Sequence, residues 1–341
     1  MKGLSWFNKL VYSINILVAV LLLIACAVPY LTYDFFSFLT FLGLVVPFLV
    51  VGNFLFFLYW LLQRKRQMLT SLIILVVGYL VLGTFIKPSF GEENKSLGDL
   101  KVMSYNVRGF NRLEADRSVN TREKITELIA LEKPDIICFQ EVGISMKPEF
   151  LDYPYSFLDK FYDSNKVHLG VFSKYPIIKA ETIQFKNSIN NGSYTDILYQ
   201  GDTIRVYNVH MQSLGVTPGS GNVRSKPVEY VYDKVNHRFK RQMNQAKLVQ
   251  QHKNNSPYPT LLCGDFNNTQ FSSTYHLLKG DMKDTFIEKG TGLGRTYDLL
   301  FLPFRIDFIF ADDHFEIKSH KNYDDKFSDH FPIMSTFDLR H

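Results

Sequence analysis

The chain has 341 residues, enough for one large domain or two modest ones, and its charges are distributed unevenly. The first 87 residues contain six Lys or Arg residues and one acidic residue, Asp34, whereas the remainder contains 32 basic and 32 acidic residues. The formal charge of +5 therefore arises in the N-terminal region. The remainder is neutral overall, so its charge gives no general argument for binding a polyanion.

The cysteine content gives no indication of a disulfide framework. Cys26 lies in an apolar run, and Cys138 and Cys263 lie in strand-like runs, so all three are expected to be buried thiols. A domain of about 250 residues can bury enough core to be stable without disulfides.

Residues 1–87 have the composition of a membrane region. Three apolar stretches, at about residues 10–33, 35–62 and 68–86, each supply the ~20 residues that a helix needs to cross a bilayer. We therefore expect three transmembrane helices. An alternative is a cleaved N-terminal signal, because Leu23–Cys26 is similar to a lipoprotein cleavage box, but the sequence after Cys26 stays apolar.

The loops between these stretches predict an orientation. Arg64, Lys65 and Arg66 lie between the second and third stretches, whereas the loop between the first two carries only Asp34. The positive-inside rule places the basic loop and the N-terminus in the cytoplasm. A third crossing then delivers everything after Lys87 to the other side, which predicts a multi-pass bacterial inner-membrane protein with a periplasmic C-terminal domain.

Residues 88–99 form a polar linker rich in turn-forming residues, and residues 100–341 alternate between strand and helix patterns. Helical spacing is found at 122–132 and 235–252. Strand-like apolar runs are found at 100–107, 135–140, 169–173, 203–210, 260–263, 305–310 and 331–337. This pattern predicts a single α/β domain after the linker.

Polar residues recur where these strand-like runs begin or end. They are Asn106, Glu141, His210, Asp265, Asn267, Asp307, Asp329 and His330. Singly, each has an ordinary explanation as a turn former, a helix cap or a solvated side chain. Together they indicate an active site, because loops at strand ends are positioned by a rigid sheet.

The motifs SYN (104–106), QE (140–141), GDFN (264–267) and SDH (328–330) occur in an order that resembles the endonuclease/exonuclease/phosphatase superfamily. That superfamily includes pancreatic-type deoxyribonucleases, abasic-site endonucleases, inositol-polyphosphate phosphatases and neutral sphingomyelinases. The resemblance covers Leu100 to the C-terminus. It implies a two-sheet α/β sandwich, here preceded by three transmembrane helices, and metal-dependent hydrolysis of phosphate esters.

The resemblance also implies roles for individual residues. Asn106 and Glu141 match the metal-site pair, with Glu141 as the principal carboxylate. Asp265 and Asn267 match the acid and amide that orient the attacking water and bind the phosphate. If the backbone stays extended, residues two apart point the same way, which would bring the Asp265 and Asn267 side chains together.

The remaining matches concern histidines and their partners. His210 and His330 match two histidines that bind phosphate or transfer protons, Asp307 matches the carboxylate that orients His330, and Asp329 matches an acid that positions the metal or nucleophile. A paired carboxylate raises the pKa of a histidine and fixes its tautomer. One departure is that His168 occurs near the position where the nuclease branch has an acidic partner for His210.

The residue types favour Mg²⁺ or Mn²⁺, since carboxylate and amide oxygens without a cysteine or histidine cluster suit a hard cation. The substrate stays open. Residues 222–253 carry eight basic and two acidic residues, a local charge that suits a nucleic-acid backbone, an anionic lipid surface or an inositol phosphate. Three hypotheses remain: an endonuclease-type phosphodiesterase, a hydrolase of lipid head groups, and an inactive anchored scaffold protein.

Overall fold

The structure is a computed structural model that describes residues 3–31, 39, 41–84, 86–88, 100–111, 121–142, 152–159, 168–215, 227–299 and 302–340. It divides into two compact units. The first comprises Met1–Phe85 with Thr269–His276, and the second comprises Ile86–Asn268 with Leu277–His341. Most of the predicted 88–99 linker, Asp34 and residues 222–226 of the basic segment 222–253 lie outside the described residues.

The first unit is built on three apolar helices, α1 (Trp6–Ala27), α2 (Phe41–Leu62) and α3 (Met68–Leu82), with a 3₁₀ turn at Val28–Tyr30. Among the described residues, two helical segments are long and apolar enough to cross a membrane, Trp6–Tyr30 and Phe41–Leu62. The third predicted stretch, 68–86, forms a shorter helix than expected, since α3 ends at Leu82. Its 15 residues rise about 22 Å, short of the ~30 Å hydrocarbon core, because Gly83 ends the helix with a φ of 75°.

These helices bury polar side chains and expose apolar ones. Asn15 is fully buried, donates to the Ser71 hydroxyl at 2.8 Å and accepts from the Trp60 indole at 3.0 Å. The outward surface instead carries large apolar side chains such as Leu17 and Leu55. This is the reverse of the usual arrangement in water-soluble proteins, where large apolar side chains are the ones buried.

The first unit also includes Thr269–His276, which packs near the Val28 and Gly43 ends of α1 and α2. The Thr269 hydroxyl donates to the Gly43 carbonyl at 3.1 Å, and the Ser273 hydroxyl donates to the Val28 carbonyl at 2.7 Å. A Cβ at Gly43 would lie 2.9 Å from the Phe271 carbonyl oxygen, so this approach requires glycine.

The second unit contains two six-stranded sheets, with the orders β13-β14-β1-β2-β4-β3 and β5-β6-β7-β8-β12-β9, and a small β10-β11 hairpin. The strands are β1 (Leu100–Asn106), β2 (Ile136–Val142), β3 (Tyr155–Leu158), β4 (His168–Ser173), β5 (Ile177–Gln184), β6 (Asn191–Tyr199), β7 (Asp202–His210), β8 (Thr260–Asp265), β9 (Lys283–Asp284), β10 (Tyr297–Leu299), β11 (Leu302–Phe304), β12 (Asp307–Ala311), β13 (Phe315–Asn322) and β14 (Ile333–Leu339). The expected two-sheet α/β sandwich is confirmed.

Helices complete the second unit. They are α4 (Arg108–Asn111), a single irregular turn, α5 (Thr121–Glu132), α6 (Val228–Asn254), α7 (Ser273–Lys279), which straddles the boundary of the units, and α8 (Thr285–Lys289). The apolar face of α5 packs on Met103, Ile137 and Phe172, on the outer face of the first sheet.

The main core lies between the two sheets. Alternate residues of facing strands, such as Val102, Cys138, Val206 and Cys263, are fully buried in one apolar cluster. This follows from the two-residue period of a strand, which sends every second side chain to the same face. Polar residues at the ends of these strands, at positions that point inward, therefore lie next to the same core.

Candidate active site

Sheet register places Asp265 between two other predicted site residues. β7 runs parallel to β8 with His210 opposite Asp265, and β12 runs antiparallel to β8 with Asp307 opposite Asp265. In the other sheet, Asn106 at the end of β1 lies opposite Gln140, the residue before Glu141. The ends of β1, β2, β7 and β8 and the start of β12 thus form one edge of the sandwich.

Asp265 is almost fully buried and is surrounded by donors. The Asn106 amide donates to Asp265 Oδ2 at 3.0 Å, the Asn267 backbone N–H donates to Oδ1 at 2.7 Å, and the Asn267 side-chain amide donates to Oδ2 at 3.1 Å. The two side chains meet as expected, but not through an extended backbone. Asn267 has a φ of 50°, so the chain turns back and brings its amide to the carboxylate.

Glu141 reaches the same edge through an irregularity in its strand. The pairing of β2 with β4 shifts register between Phe139 and Val142, and Glu141 adopts a φ of 58°. Such bulges re-aim a side chain at the edge of a sheet. The Asn106 amide donates to Glu141 Oε1 at 3.3 Å, and burial raises the pKa of this carboxyl group.

The two predicted histidines approach these carboxylates from two sides. His210 Nε2 lies 3.7 Å from Glu141 Oε1 and 3.6 Å from Asp265 Oδ2. His330 Nε2 lies 3.7 Å from the same Asp265 oxygen. Two imidazoles and two carboxylates therefore converge within reach of a single phosphate group.

His330 has the carboxylate partner that was expected for it. Its Nδ1 lies 2.9 Å from Asp307 Oδ2, and the Tyr297 ring lies against the imidazole at a centroid distance of 4.9 Å. Burial alone lowers the pKa of His330, but the charges of Asp307 and Asp265 and the hydrogen bond to Asp307 outweigh it and raise the pKa to about 10. The imidazolium form is therefore favoured at neutral pH.

His210 differs in having no such partner within the described residues. Its Nδ1 is buried without a hydrogen bond there, and burial lowers its pKa. His168 does not take the place of the missing acid, since its Nδ1 lies 2.6 Å from the Asp159 carbonyl oxygen. The site thus contains one imidazole poised to be charged and one poised to be neutral.

Asp329 lies at the outer side of the site. Its carboxylate forms an ion pair with Arg108 at 3.2 Å and accepts from the Ser328 hydroxyl at 3.1 Å. Its charge contributes to the raised pKa of Glu141, so the two carboxylates are near neighbours. Two like charges held close together favour a cation between them.

The donors fit a hard divalent cation. Among the described residues, one group of potential ligands lies within 4.8 Å, formed by Asp265, Asp307 and His330. His330 Nδ1 is already bonded to Asp307, so this trio is better suited to holding protons and phosphate oxygens. Glu141 and its neighbour Asp329 offer the carboxylate oxygens that Mg²⁺ prefers, and the Asn106 side-chain amide lies beside Glu141.

Sequence reasoning missed a buried amide pair beneath these residues. The Gln140 amide donates to Asn208 Oδ1 at 2.8 Å and to the Ser104 hydroxyl at 3.2 Å, and the Asn208 amide donates to the Phe139 carbonyl at 2.9 Å. These bonds link the two sheets directly behind Glu141 and His210. The available signal was polar residues at inward positions of otherwise apolar strands.

Comparisons with known proteins agree with this architecture. The family model described as the endonuclease/exonuclease/phosphatase family matches residues 103–330, and a domain of unknown function matches residues 8–85. No curated protein matches the chain in sequence at a significant level.

Solved structures with the same fold include humanized D. rerio TDP2, with 18% identity and a TM-score of 0.55 over 70% of this chain and 99% of that chain. A Bacteroides thetaiotaomicron mannosyl-6-phosphatase has 20% identity and a TM-score of 0.55 over the same shares. The human Nocturnin catalytic domain with a bound sulfate anion has 14% identity and a TM-score of 0.54 over 70% of this chain and 94% of that chain.

The sandwich and the residues gathered at its edge define a phosphate-ester hydrolase. The chain belongs to the endonuclease/exonuclease/phosphatase family, whose model covers two thirds of its length.

Proposed function

We propose that this chain is a membrane-anchored, Mg²⁺- or Mn²⁺-dependent phosphodiesterase of the endonuclease type. The observation that carries the proposal is the convergence of His210 and His330 on Asp265, at 3.6 and 3.7 Å, with Glu141 lying 3.7 Å from His210. A phosphodiester seated there contacts a cationic imidazolium, a neutral imidazole and carboxylates at once. These are the groups that phosphoryl transfer to water requires.

His330 is assigned to the scissile phosphate. Its raised pKa keeps it protonated at neutral pH, so it can donate a hydrogen bond to a non-bridging oxygen and offset the charge that develops there. Asp307 holds the ring by its Nδ1, which leaves Nε2 facing the phosphate.

Asp265 is assigned to the attacking water. Burial raises its pKa to about 6, with the charge of Asp307 adding to the shift and that of His330 opposing it. A carboxylate with that pKa can accept the proton of the water near neutral pH. Asn267 and Asn106 fix its orientation, and neutral His210 supplies a second hydrogen bond to the phosphate.

Glu141, Asn106 and Asp329 are assigned to a divalent cation. When bound, such a cation neutralises charge on the phosphate oxygens and steadies the leaving oxygen. Arg108 forms an ion pair with Asp329 beside this group.

The anchoring proposal rests on the polarity of the first unit. Asn15, Asn53 and Ser71 are fully buried between the helices, whereas Leu17, Leu55 and many other large apolar side chains are exposed. Exposed apolar surface with polar groups hydrogen-bonded inside suits a lipid environment. We assign residues 1–87 to the membrane region, 88–99 to a linker and 100–341 to the catalytic domain.

The test is hydrolysis of bis(p-nitrophenyl) phosphate by the full chain in detergent, first stripped of metal with a chelator and then titrated with Mg²⁺. We expect activity that rises and saturates with Mg²⁺. In Glu141→Gln, which keeps the shape and removes the charge, the rate should fall at least about 10²-fold. The matched control is Glu316→Gln, a half-exposed carboxylate paired with Lys318, which should retain full activity.

Full activity in excess chelator, or an unchanged metal response in Glu141→Gln, would contradict the metal assignment. Binding of phosphodiesters without turnover in any metal would instead identify an inactive anchored scaffold protein.

A second candidate substrate is a lipid head group, and the apolar helices of the same chain favour it. A linker of about 12 residues reaches at most ~40 Å, which confines the domain to the neighbourhood of the bilayer. DNA, RNA, sphingomyelin vesicles, phosphoinositide vesicles and phosphomonoesters should be compared at equal Mg²⁺. Faster turnover of vesicle lipids than of DNA or RNA would select this candidate over the endonuclease type.

A further inference from the structure

We propose that Gln242, on α6, is a positioning residue that holds the two catalytic loops in a fixed position relative to each other. The first loop follows His210, and the second follows Asp265. The inference rests on the proposed function, because it concerns the residues that the reaction is assigned to.

One amide group joins the two loops. Gln242 is fully buried, and its Nε2 donates to the Gln212 carbonyl at 2.6 Å and to the Asn267 carbonyl at 3.2 Å. Its Oε1 accepts from the Asn268 amide at 2.9 Å. A glutamine side chain has two N–H donors, and here they serve carbonyls that lie on different loops.

The backbone groups of these two loops lie beyond the hydrogen bonds of the sheet. β7 ends at His210 and β8 ends at Asp265, so the carbonyls of Gln212 and Asn267 lie beyond the ladder of strand hydrogen bonds. Carbonyls at such positions need a donor from outside the sheet. Gln242 satisfies both, which ties the loop geometry to a helix instead of to solvent.

Asn267 is the residue that makes this contact matter for catalysis. Its φ of 50° is left-handed, a conformation that asparagine tolerates, so contacts with neighbouring residues help to select it. Gln242 donates to the Asn267 carbonyl. The Asn267 side-chain amide in turn donates to the Met211 carbonyl at 3.0 Å and to Asp265 at 3.1 Å. Loss of the Gln242 contact therefore loosens the amide that orients Asp265.

The helix is a rigid platform for this contact. Gln245 lies one turn further on the same face, and its Oε1 accepts from the Gln212 backbone N–H at 2.9 Å. Phe239, Ala246 and Val249 bury the same side of α6 in the second unit. The helix thus forms hydrogen bonds with both the backbone N–H and the C=O of Gln212 in the first loop.

The test is the variant Gln242→Met, which keeps length and volume but makes no hydrogen bonds. With bis(p-nitrophenyl) phosphate and saturating Mg²⁺ we expect kcat to fall about 10- to 100-fold while KM changes little, because small displacements of positioned groups have effects of that size. In the Asn267→Ala background the same substitution should lower kcat much less. Multiplicative effects in the double variant would overturn the inference.

The matched control is Thr285→Val. Thr285 is a fully buried hydroxyl with two hydrogen bonds, to the Ile309 carbonyl and to His320, and neither partner is assigned to the reaction. It should lower the unfolding temperature with kcat unchanged. If Gln242→Met behaves in the same way, Gln242 is only a structural residue and the inference is wrong.

Hydrogen–deuterium exchange separates this inference from the proposed function. Peptides covering 210–215 and 264–268 should exchange faster in Gln242→Met than in the parent chain, in the absence of any substrate. Unchanged exchange overturns the inference even if the enzyme is active. Faster exchange in an enzyme that hydrolyses no phosphodiester supports the positioning role and contradicts the function.

Discussion

His210 and His330 lie against the same carboxylate, yet their surroundings separate their charges. Asp307 and Asp265 raise the pKa of His330 against the effect of burial, whereas burial lowers the pKa of His210. At neutral pH this leaves an imidazolium on one side of Asp265 and a neutral imidazole on the other. One can neutralise phosphate charge continuously, and the other can exchange a proton.

Asp307→Asn should convert that difference into a pH effect. The amide keeps the shape but removes one charge that raises the pKa of His330, so this pKa falls, although the charge of Asp265 still opposes the effect of burial. His330 would then lose its proton at a lower pH than in the parent, and the variant's kcat relative to the parent should fall as pH rises from 6 to 8. A ratio independent of pH would contradict the role of His330 as a cation. Asp313→Asn, an exposed partner of Lys283, is the control.

Replacing each histidine with alanine should show which of the two contributes more to kcat. We expect His330→Ala to lower kcat by about 10²- to 10⁴-fold, the usual range for a group that stabilises charge or transfers protons. His210→Ala should be less damaging, because the Nδ1 of His210 has no carboxylate partner within the described residues. A larger loss in His210→Ala than in His330→Ala would reverse the assignment. The measurement is single-turnover hydrolysis at saturating Mg²⁺.

His320 makes stability depend on pH away from the site. Its side chain is partly exposed, but its Nε2 is buried and its Nδ1 lies near the Thr285 and Ser335 hydroxyls, and burial lowers its pKa from 6.5 to about 4. Because the folded-state pKa is the lower one, the contribution is complete above pH 6.5 and is lost as pH falls towards 4, by about 1.4 kcal/mol per unit. His320→Gln should therefore show a smaller drop in unfolding temperature between pH 7 and pH 4. Equal drops would contradict the neutral buried form.

Among the elements, those with a strong apolar pattern were predictable from sequence. β1, β2, β7 and β8 lie within about two residues of their predicted positions, and their ends carry the site, whereas α6 begins seven residues before its predicted start at 235. β5, β6 and β13 were missed, because their polar residues obscure the apolar pattern. The residues that support the site could not be predicted from sequence either, because Gln242 contacts Asn267 only when α6 packs beside β8.

Gly264 lies where β8 approaches β7 closely. In β8 it has a φ of 145°, and a Cβ there would lie 1.9 Å from the Val209 carbonyl oxygen of β7. Gly264→Ala must therefore separate the strands that carry His210 and Asp265, and we expect a loss of more than about 3 kcal/mol in the free energy of unfolding. Gly201→Ala is the control, since Gly201 also has a positive φ of 97° but open space around it. Equal losses would show that backbone conformation alone is responsible.

At the scale of the whole molecule, two family models divide the chain much as its composition does. One covers 8–85 and the other covers 103–330. The fold of the second part followed from its motifs. The first part was harder to predict, because an apolar stretch does not reveal where its helix ends, and Gly83 ends α3 after 15 residues. The orientation of the protein therefore depends on whether this short helix crosses.

We expect α3 to cross, with the N-terminus in the cytoplasm and the catalytic domain outside. Arg64, Lys65 and Arg66 lie at one end of the helices, where the Asn8 amide donates to Gln63 at 3.0 Å, so the N-terminus shares the cytoplasmic side. Val28, Gly43 and the segment Thr269–His276 lie at the other end. A helix about 22 Å long can span if the bilayer thins locally, at a fraction of a kcal/mol per Å.

Reporter fusions decide this in cells. Alkaline phosphatase fused after His341 should be active and β-galactosidase inactive, whereas the same pair fused after Arg66 should give the opposite result. Replacing Arg64, Lys65 and Arg66 with glutamine should reduce the difference, because those charges hold the loop inside. Active β-galactosidase after His341, with the Arg66 fusions unchanged, would mean that α3 stays on the cytoplasmic side and that the phosphodiesterase acts on cytoplasmic substrates.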